Sequence, residues 1–93
     1  METVKLKNEK GGYNKAAVLA KINTYTLALM MLENMPADMD QADRDKIVEE
    51  FEKAKQMELP REKSGFFGGS GFSVEDTDNY IALLEDKINQ KLF

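Results

Sequence analysis

The residues whose types and spacing come nearest to metal chemistry are Asp38, Asp40, Asp43, Asp45 and Glu49. Their span is that of an EF-hand loop, in which oxygens at alternate positions and a final bidentate glutamate surround calcium. With Asp38 counted as first, Glu49 falls twelfth, but Ala42 stands fifth and Asp43 sixth, where the sharp turn requires glycine. The acids read instead as a solvated helix start, and neither a metal site nor a cofactor is expected. A second candidate is the glycine run from Lys63 to Ser73, which could cradle phosphate. A P-loop needs four residues between its glycines and then a lysine; here five separate Gly65 from Gly71, and Phe72 takes the lysine's place. A dinucleotide loop fails as well, because Val74 stands where Gly69-Ser70-Gly71 would need its third glycine. With no cysteine and no histidine in the chain, thiolate chemistry, Cys/His zinc sites and imidazole acid–base work are excluded. The remaining carboxylates are spread along charged helix faces, where solvation is the ordinary explanation. A non-enzymatic protein is expected.

The elements that would position any site fit one domain. A chain of 93 residues is near the size at which one core gives adequate stability, and oligomerisation would help it. The start Met-Glu-Thr-Val-Lys-Leu-Lys has no apolar segment behind a basic one, so a signal peptide is not expected. The longest uncharged run, Ile22 to Leu32, is eleven residues, too short to span a bilayer. The net charge of -4 conceals a division: residues 1–21 carry five lysines against Glu2 and Glu9, while residues 33–58 carry nine acids against four bases. So acidic a body repels phosphate, and nucleic acid is not expected as a partner. A modest attraction of the basic end to an anionic membrane surface stays open. The lack of cysteine fits a cytoplasmic protein.

The fold class expected is mainly α, with three helices and a short N-terminal extended segment or strand. Residues 1–12 form the arm, with alternation at Thr3-Val4-Lys5-Leu6-Lys7 that suits a half-exposed strand. Residues 14–35 read as a helix whose Val18, Ile22, Tyr25, Leu29 and Leu32 follow coiled-coil spacing. Leu19, Met30 and Met31 widen its apolar face, so it should pack on more than one side. Pro36 stops it. Residues 40–58 form a second helix with an Ile47, Val48, Phe51, Ala54 stripe, closed by Pro60. Residues 60–72 are a Gly/Phe loop, since glycine at this density loses backbone entropy in any regular element. A last helix covers 74–92, with Thr77, Ile81, Leu84 and Ile88 on one seam.

The helix starts of the first and last helices echo one another. Gly12-Tyr13-Asn14 precedes Val18 and Ile22; Gly71-Phe72-Ser73 precedes Thr77 and Ile81. In each, the third residue caps the helix and the aromatic before it is placed to staple onto the fourth helical residue. Together with Lys63-Ser64, Phe66-Phe67, Glu75-Asp76, Asp78, Tyr80-Ile81 and Leu84, the second copy resembles the N-terminal motif of DivIVA-type bacterial cell-division proteins. The resemblance covers about a third of the chain. It departs from the family where Phe67 replaces a basic residue, where extra glycines lengthen the loop, and where the long coiled-coil tail is missing.

The resemblance implies that Phe66 and Phe67 form a wedge into membrane, with Arg61 and Lys63 as its basic flank. It also implies a parallel coiled-coil dimer formed by the helix after the motif; with the heptad spacing of both helices, the expected dimer seam is Val18, Ile22, Tyr25, Leu29, Ile81, Leu84 and Ile88. The expected function is thus a DivIVA-like adaptor at the division site, cytoplasmic and peripheral at the inner face of the membrane. Equally open is a small helical module that binds an unidentified protein partner, with Phe66 and Phe67 in its core or against that partner.

Overall fold

A computed structural model describes residues 6–34, 40–63 and 69–92. The fold is mainly helical, with three helices and one two-stranded antiparallel sheet. Strand β1 (Asn8–Lys10) is followed by helix α1 (Lys15–Asn34), helix α2 (Gln41–Gln56), strand β2 (Ser70–Phe72) and helix α3 (Val74–Leu92).

Each helix begins on a side-chain cap that satisfies amides with no partner inside the helix. The Oδ1 of Asn14 accepts from the Ala17 amide at 2.9 Å, that of Asp40 from the Asp43 amide at 2.9 Å, and the Oγ of Ser73 from the Asp76 amide at 3.3 Å. Asp40, a member of the candidate calcium set, thus serves as a cap. The carbonyl ends of α2 and α3 are held by cations from other helices. From α1, Lys21 donates to the carbonyls of Met57 and Lys55 at the end of α2, and from α2 Arg44 donates to the Leu92 carbonyl at the end of α3. Both cations also meet the negative end of a helix dipole.

Helix α1 packs against both α2 and α3, which touch each other only briefly. The core joins Tyr25 and Ala28 of α1, Ile47, Phe51 and Ala54 of α2, and Ile81, Leu84, Ile88 and Leu92 of α3. Tyr25 and Phe51 meet edge to face with centroids 6.0 Å apart, the geometry favoured by aromatic quadrupoles. With Cα extents of 55 × 25 × 16 Å, the body is a flat slab. One face of α1 lies outside the packing.

One expectation is corrected here. A strand lies at Asn8–Lys10, within the expected N-terminal arm, and residues 3–5 of the expected alternation lie outside the described residues; its partner is the end of the expected glycine loop, which is β2 and not irregular chain. Asn8 faces Phe72, Glu9 faces Gly71 and Lys10 faces Ser70. Glycine is tolerated in this strand because the space demands it: a Cβ on Gly71 would stand 2.1 Å from the Tyr13 carbonyl oxygen.

Candidate interaction site

Two surfaces bear on the residues singled out by the sequence, and they lie on different parts of the fold. The first is a small β platform where the two echoing motifs meet. Tyr13 bridges Phe72 on one side and Arg61 on the other, both antiparallel. Since β1 pairs with the other edge of β2, the chain turns around the end of that strand, through Gly11 at φ 75°. A Cβ on Gly12 would lie 2.2 Å from the Phe72 carbonyl oxygen, so both glycines of the echo are required by one close backbone crossing.

The aromatics of the echo reach across the platform to opposite helices. The Tyr13 hydroxyl donates to Asp78 of α3 at 2.9 Å, while the Lys15 ammonium of α1 lies 5.4 Å from the centre of the Phe72 ring. Burial first, then the hydrogen bond and charge of Asp78, raise the Tyr13 pKa, with Arg61 opposing. Further ties fix the crossing: Val74 donates its amide to Glu9 Oε2 at 2.8 Å, and Ser73 donates to the Lys7 carbonyl at 2.7 Å.

Arg61 belongs to this platform. Its Nε donates to the Gly11 carbonyl at 2.6 Å and its guanidinium sits 5.9 Å from the Tyr13 ring centre. That contact ties the group to the turn and reduces its freedom to serve lipid headgroups. Lys63 is exposed. Phe66 and Phe67 lie outside the described residues. The flanks of their segment are close together, for a Cβ on Gly69 would be 4.0 Å from Glu62 Oε2.

The seven residues of the expected dimer seam are placed within a single chain. Val18, Tyr25, Ile81, Leu84 and Ile88 are buried, and Ile22 and Leu29 pack partly buried against the core. Contacts between α1, α2 and α3 therefore account for their heptad spacing. Two copies meeting through the same residues would first have to open this core.

The second surface is the outer face of α1, which the sequence reading places in the packing. Leu19 and Leu27 are 51% exposed and Met30 is 52% exposed. Ala16, Ala20, Asn23 and Asn34 are exposed beside them. At spacings of four, three, four, three and four, Ala16, Ala20, Asn23, Leu27, Met30 and Asn34 form a second heptad stripe. No charged residue lies within it, although 32% of the chain is charged. Leu27, Met30, Met31 and Asn34 frame an open apolar depression of about 330 Å³. Its signal in the sequence is that α1 is apolar all round, a pattern typical of a helix covered on every side.

Among the described residues, no group of three acidic, cysteine or histidine side chains could hold a metal ion, and no helix is long and apolar enough to cross a membrane. No family model, curated protein or solved structure matches the chain.

Proposed function

We propose that this chain is a non-enzymatic adaptor that self-associates through helices, and that its contact surface is the outer face of α1. The observation that carries this reading is the uncharged stripe from Ala16 to Asn34, open to solvent on a chain otherwise rich in charge. Apolar area left open on a small domain is the usual mark of an interface. The depression beside Leu27 and Met30 adds a shape into which a second side chain can insert. Sedimentation velocity from micromolar to millimolar protein tests it: the parent should shift toward dimer, and Leu27→Asp, at an exposed position, should remain monomeric with unchanged helicity. A parent that is monomeric throughout rejects the reading.

Membrane association, the division-site role and a place at the inner face of the membrane rest on the DivIVA-like motif. What favours them is the exposed Lys63 directly ahead of the Phe66-Phe67 segment, whose flanks Glu62 and Gly69 lie together at the platform. Two apolar rings beside a basic residue bind an anionic leaflet weakly, and a dimer presenting two such segments binds more tightly through effective concentration. Co-sedimentation with anionic liposomes should fall for Phe66→Ser/Phe67→Ser while helicity is kept. Absence of binding by the parent leaves the adaptor without a lipid partner.

A further inference from the structure

We infer that the occupant of the α1 face is a second copy of this chain, docked with its own α1 antiparallel about a twofold axis level with Thr24 and Tyr25. The inference rests on the reading of that face as the contact surface and specifies what meets it. The outer stripe is tapered. Its first half is small, Ala16 and Ala20, and its second half large, Leu27 and Met30. An antiparallel partner brings each small end against a large end: Ala20 faces the partner's Met30, and Asn23 faces the partner's Leu27. Leu19 of the partner subunit then lies opposite the depression framed by Leu27, Met30, Met31 and Asn34. A parallel partner would crowd methionine on methionine at one end and leave alanine facing alanine at the other.

Charge selects the same orientation. Lys15 and Glu33 flank the uncharged stripe, 18 residues apart and therefore on the same side of the helix at 100° per residue. They are separated along the axis by roughly 27 Å. Their midpoint is residue 24, within one residue of the axis that the side-chain sizes define. Antiparallel docking therefore sets Lys15 beside the partner's Glu33 at both ends of the contact. In a parallel pair the twofold would run along the helices and put the two copies of Lys15, and of Glu33, on opposite sides of the seam, so that neither would meet the other's charge. An isologous contact of this kind closes at two subunits and leaves no open end. Asn23 lies within one turn of the axis, where a single polar residue in an apolar seam fixes register.

The absence of native cysteine permits a direct test. In the double variant Ala20→Cys/Met30→Cys, mild oxidation should give a disulfide-linked dimer. Each single variant should stay unlinked, because identical positions in the antiparallel pair lie roughly 15 Å apart, beyond the reach of a disulfide. Both positions are exposed, so the fold is expected to hold, and circular dichroism checks it. As a second measure, Glu33→Lys and Lys15→Glu should each weaken dimerisation several-fold at low salt, and the double swap should restore it. Cross-linking of Ala20→Cys alone, or a dimer that links in none of these variants, overturns the antiparallel contact while leaving self-association standing. A chain that is monomeric by sedimentation overturns both.

Discussion

Tyr13 and Phe72, 59 positions apart, exchange both backbone hydrogen bonds, each amide donating to the other's carbonyl at 2.9 Å. This exchange ties the starts of α1 and α3, since each residue directly precedes a helix cap. The crossing requires that Gly12 and Gly71 carry no side chain, as a Cβ at either would lie 2.1–2.2 Å from a carbonyl oxygen. Overpacking against backbone cannot be relieved by a rotamer change. Gly12→Ala and Gly71→Ala should each destabilise the fold by about 2–3 kcal/mol, measured by urea unfolding followed by circular dichroism. Gly69→Ala is the control, with its nearest neighbour at 4.0 Å; equal losses at all three positions would refute the close-approach account.

Lys21 supplies a different kind of support. It is buried to 9% exposure, and its ammonium donates to Met57 at 2.8 Å and Lys55 at 3.3 Å, both backbone carbonyls. Replacing it with methionine keeps the length of the stem while removing the donor. Lys21→Met should then cost about 1–3 kcal/mol, because carbonyls at the end of α2 lose their charged partner. Thermal unfolding of the parent and variant measures it, and an unchanged or higher Tm would show that packing of the stem is all that matters.

The caps of α1 and α3 look equivalent in the sequence, yet their geometry differs. Asn14 accepts from Ala17 at 2.9 Å and also donates its amide to Glu62 at 2.7 Å, so it ties α1 to the segment after α2. Ser73 accepts at 3.3 Å and makes the longer bond. Asn14→Ala should cost about 1–2 kcal/mol and Ser73→Ala about 0.5 kcal/mol. A double-mutant cycle with Glu62→Gln isolates the second contact of Asn14; zero coupling would discount it.

What was legible in the sequence is what local chemistry determines. Apolar spacing locates the three helices, with Asn14 and Ser73 as caps and Pro60 as a stop; acids at Asp38 and Asp40 both suit the start of the second helix, and the cap is Asp40, while Pro36 lies outside the described residues. The strand at Ser70–Phe72 was not legible, because glycine content signals a loop and the reason for Gly71 is a backbone 58 positions away. Heptad spacing at Val18, Tyr25 and Ile88 reports burial against a helix but not whose helix it is, so a core within one chain read as a dimer seam. The open stripe from Ala16 to Asn34 was hidden for the same reason: α1 is apolar on both faces, and only α2 and α3 decide which face is covered. Nothing in the spacing marks Lys21, because its partners are carbonyls at the end of α2, more than 30 positions away. The role of Phe66 and Phe67 lies outside the described residues and rests on the motif alone.

The pair Tyr25–Glu85 makes stability depend on high pH. The Tyr25 hydroxyl donates to Glu85 at 2.6 Å, and the side chain is fully buried. Burial first, then the hydrogen bond and charge of Glu85, push its pKa well above the ordinary tyrosine value. In the unfolded chain the same phenol ionises near pH 10. The neutral phenol of the folded state therefore contributes stability that is fully present below about pH 10 and is lost as pH rises toward the folded pKa. Tyr25→Phe cannot ionise, and it leaves Glu85 without this donor. The variant should be less stable than the parent by about 1–3 kcal/mol at neutral pH, and the gap should narrow above pH 10. Lysine titration affects both proteins alike, so the difference in unfolding free energy between them isolates Tyr25. A gap that stays constant to pH 11 would mean that the phenol ionises equally in both states, contrary to its burial against Phe51 and Glu85.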